Sequence, residues 1–208
     1  IQKTINADVR MEGEALVPGK LFGEFAKKLS SEESIEISYT DDQNVKVKYT
    51  DSETSFKAMK LRDYPPIQEF DHDVEFSMLQ KDLKDLIIKT IFSAATDDVR
   101  PILKGCLLDI SGNEVKCVAL DGYRLAVTKK QLAMSCPDTS AIIPAKNLSE
   151  IYRLLEEDDE PANISVCQKK ITVDLKHTKI ISNLLSGTFI RYESSIPNKF
   201  ETVVTEPI

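Results

Sequence analysis

The chain has 208 residues, of which 41 % are hydrophobic and 29 % are charged, and its formal net charge at pH 7 is −7. This composition is typical of a globular protein with a sizeable core and excludes a disordered chain. The acidic total excludes a protein that binds nucleic acid with its whole surface, because phosphate binding depends on clustered lysine and arginine. Every apolar run is far shorter than the roughly 20 residues needed to cross a bilayer.

The first predicted element is an amphipathic helix over residues 18–29. Apolar side chains recur there at spacings of three and four, and a proline stands in the first turn. The apolar positions are Leu21, Phe22, Phe25, Ala26 and Leu29. Three strands with alternating apolar residues are predicted next, over residues 35–39, 45–49 and 55–61.

Residues 62–73 are predicted to form an extended linker, because two adjacent prolines and several acidic residues disfavour a helix. A second domain then opens with a strand over residues 74–77 and a helix from residue 79 to about residue 95. One stripe along this helix is formed by Leu79, Leu83, Leu86, Ile87 and Thr90. We therefore expect the domain boundary near residue 72.

Turn-forming residues at 111–113 and 121–122 divide the following segment into short strands. The strands predicted here are 103–110, 114–119 and 125–129. The remaining predicted elements are a strand over 140–143, a helix that starts at Pro144, and strands over 164–167, 171–175 and 179–185.

A repeat with a spacing of 126 residues relates these elements. The string Ala-Leu-Val-Pro-Gly-Lys at residues 15–20 returns as Ala-Ile-Ile-Pro-Ala-Lys at residues 141–146, and the strands at 45–49 and 171–175 have the same spacing. Because 126 residues is close to the length of one globular domain, the pattern indicates tandem copies of one domain. The first copy has few residues before its helix, which predicts a chain that begins partway through a domain.

The cysteines and acidic runs do not predict a metal site or a cofactor site. The four cysteines are separated by 11, 19 and 31 residues, without zinc-ligand spacing to either histidine. We interpret them as buried or unreactive thiols of a reducing cytoplasm. The acidic runs at 41–42, 71–75 and 156–160 lack the spacing of a calcium loop and are expected to be solvated.

The most specific strings lie between residues 97 and 126. They are Asp98-Val-Arg-Pro-Ile-Leu-Lys-Gly105 and Val118-Ala-Leu-Asp-Gly-Tyr-Arg-Leu-Ala126. Both resemble the bacterial sliding clamps, the beta subunits of DNA polymerase III. The Val-Pro-x-Lys type helix starts and the Ser-Gly-Thr-Phe turn at residues 186–189 extend the resemblance over nearly the whole chain.

The resemblance implies an α+β fold of tandem DNA-clamp domains, each with two helices packed on antiparallel sheet. Three such domains make a subunit in this family, and two subunits close into a ring around duplex DNA. The chain would then hold a partial first domain at residues 1–72, a second domain at 73–195, and a linker at 196–208 to an absent third domain.

The resemblance also implies a pocket between the second and third domains that accepts short apolar and aromatic motifs of partner proteins. The matching positions are Arg100, Leu103, Leu120, Gly122, Tyr123, Arg124, Leu125 and Ile190. Leucines supply an apolar wall, glycine permits a tight turn, and arginines supply donors. Leu120 stands where the family usually has Thr, Ile190 where it commonly has Pro, and Ser194 where Arg is frequent, which makes the rim more apolar.

In this family, cationic side chains on helices face the DNA. The candidates here are Lys20, Lys27, Lys28, Lys81, Lys84, Lys89, Lys146 and Arg153. Weak attraction is sufficient because topology retains a ring, and tight phosphate contacts would impede sliding. The alternative is a solvated helix face with pairs such as Lys20 with Glu24 and Lys81 with Asp85.

The predicted function is that of a non-enzymatic processivity factor that tethers a replicative polymerase to DNA. The expected partners are double-stranded DNA without sequence preference, a replicative DNA polymerase subunit, the clamp loader and other proteins with clamp-binding motifs, and the full-length protein is expected to be a cytoplasmic homodimer without membrane contact. One alternative is a metal-dependent nuclease that uses Asp97, Asp98 and Asp121. Another is a scaffold of tandem repeats that binds proteins but not DNA.

Overall fold

The computed structural model describes residues 1–29, 34–40, 43–66, 70–197 and 199. The chain forms two compact units: a small unit, Asn6–Phe70, and a large unit made of Ile1–Ile5 and Asp71–Ile208. Parts of three sequence features lie outside the described residues. These parts are the acidic residues 41–42, residues 67–69 of the predicted linker, and all but three residues of the predicted segment 196–208.

The described residues contain the following helices and strands in chain order. They are β1 (Gln2–Lys3), α1 (Gly19–Ala26), β2 (Ile35–Thr40), β3 (Asn44–Tyr49), β4 (Ser52–Lys57), β5 (Val74–Leu79), α2 (Gln80–Ile88), β6 (Gly105–Leu120), β7 (Leu125–Pro144), α3 (Ala145–Leu154), β8 (Pro161–Val166), β9 (Lys170–Leu175) and β10 (Thr178–Asn183). Short 3-10 helices lie at Leu61–Asp63, Ile91–Ser93, Pro101–Lys104 and Tyr192–Ser195.

The small unit is a three-stranded antiparallel sheet, in the order β2-β3-β4, packed against α1. Val45, Val47 and Phe56 form its buried centre. Phe22 and Phe25 of α1 contact the Phe56 ring edge-on, with centroid distances of 5.4 and 5.3 Å. The amphipathic pattern of the sequence therefore turns the predicted face of α1 toward the sheet, although α1 ends at Ala26 rather than at residue 29.

The large unit contains a five-stranded antiparallel sheet in the order β1-β10-β9-β8-β5 and a separate antiparallel pair, β6-β7. Its main core joins the sheet to both helices: Leu86 of α2 and Ile151 of α3 are buried in one cluster with Ile164 and Val173. Two helices packed on antiparallel sheet confirm the predicted α+β class.

The structure also confirms the predicted repeat. Four pairs of elements begin 126 residues apart, namely α1 and α3, β2 and β8, β3 and β9, and β4 and β10. The backbone bonds repeat as well, since Met59 N–H donates to the Leu16 carbonyl at 2.7 Å and Leu185 N–H donates to the Ile142 carbonyl at 2.8 Å. The two units therefore share one structural plan.

The prediction of three short strands between residues 103 and 129 is wrong. Residues 101–104 form a 3-10 helix, residues 121–124 form a turn, and the rest of the segment belongs to two long strands, β6 and β7. Gly112 (φ 59°) lies at a bulge within β6, with register shifts on both sides, rather than in a turn. The predicted strand over 140–143 is the end of β7.

The predicted helix 79–95 is also too long, because α2 ends at Ile88. Thr90 is fully buried, and its hydroxyl donates a 2.7 Å hydrogen bond to the Leu86 carbonyl. The chain then forms the 3-10 helix Ile91–Ser93 and becomes extended at Ala94. The stripe itself is placed as predicted, since Leu83, Leu86 and Ile87 are buried.

Candidate functional site

The turn between β6 and β7 is held by one carboxylate. Oδ1 of Asp121 accepts hydrogen bonds from the backbone N–H groups of Tyr123 at 2.9 Å and Arg124 at 3.0 Å. Gly122 has φ 98°, a conformation that residues with a side chain rarely adopt. The turn presents Tyr123 with its side chain fully exposed. The predicted Asp-Gly turn is therefore confirmed.

A side-chain ion pair fixes the same turn. Nε of Arg124 lies 2.9 Å from Oδ2 of Asp121. The pKa of Asp121 is lowered, first by the backbone donors of Tyr123 and Arg124 and then by the Arg124 side chain. Both carboxylate oxygens of Asp121 are thus occupied by groups of its own turn.

An apolar cluster lies beside this turn. Its buried members are Ala95, Leu103, Leu107, Val118, Ile142, Phe189 and Tyr192. Leu120, Leu125 and Ile190 are half-buried and pack against it. The structure therefore brings all four apolar residues of the predicted pocket into one cluster, including Leu120 and Ile190, which depart from the family pattern.

A groove of about 340 Å³ opens between the 121–124 turn and the segment that precedes the 3-10 helix Pro101–Lys104. It is lined by Ala95, Asp97, Val99, Arg100, Leu103, Asp121, Gly122 and Tyr123. Four of these, Arg100, Leu103, Gly122 and Tyr123, are predicted pocket residues. Leu120, Arg124, Leu125 and Ile190 lie outside the lining of the groove.

Four residues of the lining were not predicted to belong to the pocket: Ala95, Asp97, Val99 and Asp121. Asp97 makes an Asx-type turn, because its Oδ1 accepts the Val99 N–H at 3.0 Å, and Val99 is 83 % exposed. The string Thr-Asp-Asp-Val before Arg100 contained the signal, since an Asp side chain commonly accepts a hydrogen bond from the backbone two residues further on.

The three aspartates of the nuclease alternative have different surroundings. Asp98 pairs with Lys104 at 2.6 Å, and Asp121 pairs with Arg124. Within the described ranges, no group of three or more potential metal ligands lies close enough together to hold an ion. This placement does not favour two-metal catalysis by Asp97, Asp98 and Asp121.

The candidate cations of α2 are neutralised by nearby carboxylates. Lys81 pairs with Asp159, and Lys84 lies 3.3 Å from Glu157; both carboxylates belong to the loop after α3. Asp159 raises the pKa of Lys81. The predicted pairing of Lys81 with Asp85 is wrong, since Asp85 is engaged elsewhere.

Asp85 instead joins two cations. It pairs with Lys89 at 2.8 Å and with Lys130 of β7 at 3.0 Å, and Lys130 also reaches Asp82 at 2.8 Å. These carboxylates therefore neutralise Lys89 and attach β7 to α2.

The remaining candidate cations are less engaged. Arg153 pairs with Glu150 at 2.8 Å, whereas Lys146 is exposed at the start of α3. In the small unit, Lys20, Lys27 and Lys28 are exposed. Across the part of the chain that the structure describes, none of these four lysines has an ion pair, so the predicted pairing of Lys20 with Glu24 is wrong.

A family model described as the DNA polymerase III beta subunit, central domain, matches residues 77–190, more than half of the chain. The chain belongs to this family. Its match covers α2, the 121–124 turn, the apolar cluster as far as Ile190, and α3.

Similar curated proteins are named as beta sliding clamps. The protein of Haemophilus influenzae is 32 % identical over 92 % of this chain, and that of Halalkalibacterium halodurans is 30 % identical over 95 %. The chain spans about half the length of these curated relatives, 52 % in each case. Among solved structures, a Pseudomonas aeruginosa sliding clamp bound to griselimycin has a TM-score of 0.83 at 30 % identity, over 89 % of this chain and 50 % of that one.

A second solved structure supports the clamp fold alone. The putative DNA polymerase III beta subunit of Eubacterium rectale has a TM-score of 0.87 at 20 % identity, over 96 % of this chain and 55 % of that one. Both solved structures thus show that the chain has the clamp fold. Separately, none of the helices that the structure describes is long and apolar enough to span a membrane.

Proposed function

We propose that this protein acts as a sliding clamp, a non-enzymatic processivity factor that encircles duplex DNA and tethers a replicative DNA polymerase. The observation that carries the proposal is the groove beside the 121–124 turn, within the segment that matches the family. The chain covers about half of its relatives, so ring closure, homodimer formation and action on DNA are proposed for the protein in its full length.

The groove suits a short peptide with apolar and aromatic side chains. Leu103 provides a buried apolar floor, while Gly122 leaves room for a bound backbone because nothing lies within 4 Å of the position where a Cβ would be. Tyr123 offers a fully exposed ring and Arg100 an exposed guanidinium. We assign partner binding to the predicted set, with Leu120, Leu125 and Ile190 supporting the groove from the adjacent cluster.

The clamp-loader and polymerase subunits are proposed to share this groove. Binding by insertion of a short motif needs no catalytic group, and the groove contains no nucleophile-base pair among its lining residues. The proposed site of action is the cytoplasm.

DNA is proposed to face the helices and to interact weakly with them. Half of the candidate cations form no ion pair among the described residues, namely Lys20, Lys27, Lys28 and Lys146. The other half form ion pairs with carboxylates, namely Lys81, Lys84, Lys89 and Arg153. Each phosphate contact adds affinity that would retard sliding, so partial neutralisation fits a ring that is retained by topology. The proposed division of the chain remains 1–72, 73–195 and a linker at 196–208.

Retention on DNA of different topology tests this function. The protein in its full cellular length is loaded by its clamp loader onto nicked circular DNA, and the bound fraction is measured by gel filtration. We expect retention on the circle and rapid loss after one restriction cut makes it linear. Equal retention on both forms would contradict encirclement, and absence from both would favour the scaffold alternative.

A further inference from the structure

The groove contains one carboxylate that no cation of the described residues neutralises. Three charged residues line it: Asp97, Arg100 and Asp121. The carboxylate of Asp121 is engaged within its own turn, because its oxygens accept hydrogen bonds from two backbone N–H groups and from the Arg124 guanidinium. The neighbouring Asp98 pairs with Lys104 at 2.6 Å and does not line the groove.

Asp97 differs from both of these aspartates. Its Oδ1 accepts the Val99 N–H at 3.0 Å, a bond that fixes the carboxylate in the turn. No ion pair to Asp97 occurs within the described ranges, and its second oxygen has no partner there. A carboxylate that lines a binding groove and forms no ion pair attracts a cation and repels an anion that a ligand places beside it.

We infer that Asp97 makes the groove selective for partner peptides that carry lysine or arginine beside their apolar residues. This inference rests on the proposed function of the groove as a peptide-binding site. Asp97 acts here as a specificity-determining residue: apolar side chains of the peptide occupy the Leu103 side, and an adjacent cation approaches the free oxygen of Asp97.

The test uses three fluorescein-labelled peptides that share the segment Leu-Ala-Leu-Phe and are flanked on both sides by Lys, Gln or Glu. Anisotropy titrations against the protein in its full cellular length are made at low salt. We expect the Lys peptide to bind about threefold more tightly than the Gln peptide, and the Glu peptide about threefold more weakly, as for a solvent-accessible ion pair. In 1 M salt, where the screening length is about 3 Å, the three affinities should converge.

Two variants with the same change in net charge separate the Asp97 effect from the acidity of the whole protein. Asp97→Asn should abolish the order Lys, Gln, Glu by removing the preference for the Lys peptide over the Gln peptide. Asp98→Asn, one residue away and outside the groove lining, should keep the order Lys, Gln, Glu. An order that survives in Asp97→Asn, or that disappears equally in both variants, would overturn the inference.

Failure of the inference differs from failure of the proposed function. If the three peptides bind the chain with equal affinity, and Arg100→Ala weakens all three, the groove is a peptide site but Asp97 does not select cations. If none of them binds, the groove is not a peptide site, and both the peptide-binding role of the groove and the selectivity of Asp97 are contradicted.

Discussion

The guanidinium of Arg124 lies 2.9 Å from the carboxylate of Asp121. These two residues flank the tip of the turn between β6 and β7. Arg124 is a predicted donor to partner peptides, yet in this structure its Nε is used inside the turn. This ion pair therefore holds the carboxylate that accepts the backbone N–H groups of Tyr123 and Arg124.

The pKa of Asp121 provides the first test of this arrangement. The lowered pKa has the backbone N–H groups of Tyr123 and Arg124 as its largest cause. A carboxyl titration followed by NMR should place Asp121 below the ordinary Asp value of about 3.9. Arg124→Gln should move the pKa only part of the way back, because the backbone donors remain. A full return to the ordinary value would show that the side-chain pair dominates.

The sign of the pH effect follows from that direction. A lowered folded-state pKa means that Asp121 stabilises the turn above the ordinary carboxyl pKa, and that this contribution is lost as pH falls through the lowered value. The amide signals of Tyr123 and Arg124 should therefore shift together with the Asp121 titration. Amide signals that shift at a higher pH, with other carboxylates, would contradict this link.

Gly105 gives the second prediction, since it joins the 3-10 helix Pro101–Lys104 to β6. A Cβ at this position would lie 2.7 Å from Cγ2 of Ile142 and 2.8 Å from Cδ1 of Leu185. Gly105→Ala should therefore lower the free energy of unfolding by about 1–3 kcal/mol, as overpacking of a core does. Urea unfolding measures the change; unaltered stability would mean that both side chains can move aside.

Lys130 gives the third prediction, because it joins β7 to Asp82 and Asp85 of α2. Hydrogen bonds to Asp82 and Asp85 raise the pKa of Lys130, and Lys89 together with Lys130 lowers the pKa of Asp85. Lys130→Met should cost about 1 kcal/mol of unfolding free energy at neutral pH, since the network is partly exposed. The difference in unfolding free energy between the variant and the original protein should become smaller as pH falls through the lowered pKa of Asp85.

Lys129→Met serves as the matched control for that experiment. Lys129 is adjacent in sequence, its side chain is 68 % exposed, and its only ion pair among the described residues is with Glu114, at 3.4 Å. Its loss should cost less than half as much as the loss of Lys130. Equal costs for the two variants would show that the bridge to α2 does not contribute.

The acidic loop after α3 gives the fourth prediction. Glu157 and Asp159 pair with Lys84 and Lys81, two of the proposed DNA-facing residues. The double variant Glu157→Gln, Asp159→Asn should bind a 20-base-pair duplex more tightly at low salt. The slope of log affinity against log salt should steepen by up to about 1.8, about 0.9 for each freed lysine that reaches a phosphate.

A matched double variant distinguishes released lysines from a change in net charge. Glu156→Gln, Asp158→Asn removes two charges from the same loop, and neither carboxylate forms an ion pair with α2 in the part of the chain that the structure describes. The contact of Glu156 with α2 is made by its backbone N–H, which donates to Oε1 of Gln80 and is kept in the variant. We expect a smaller gain in DNA affinity from this variant. Equal gains would mean that the ion pairs with Lys81 and Lys84 do not restrain DNA binding.

The repeated elements were the most predictable part of the fold. The spacing of 126 residues relates the starts of α1 and α3 and of three strand pairs, because each copy has the same apolar periodicity and turn lengths. The residues at which the helices end were less predictable. Thr90 ends the helical segment through hydrogen bonds of its own buried hydroxyl to carbonyls of α2, a contact that periodicity does not encode.

The β6-β7 pair shows why local signals failed in the middle of the chain. The Ser-Gly-Asn string at 111–113 has the composition of a turn, but pairing on both sides of Gly112 keeps β6 continuous through a bulge. Long-range pairing with β7 decides between these outcomes, and a local window cannot detect it. The Asp-Gly string at 121–122 is a turn because Leu120 pairs directly with Leu125.

The candidate site was predictable where a motif carries it. The resemblance supplied Arg100, Leu103, Gly122 and Tyr123, which line the groove. Asp97 was not predicted as part of it, since its position depends on the local turn with Val99. The ion pairs of Lys81 and Lys84 were also missed, because their partners lie more than 70 residues away along the chain.

The length of DNA made in one binding event is the most direct measure of the proposed tether. The cognate replicative polymerase extends a primed single-stranded circle with its clamp loader, in the presence or absence of the protein in its full cellular length. We expect products that are much longer when the protein is present, and shorter ones when Leu125→Ala weakens the apolar support of the groove. Products of unchanged length, although the protein remains on the circle, would contradict the proposed tether.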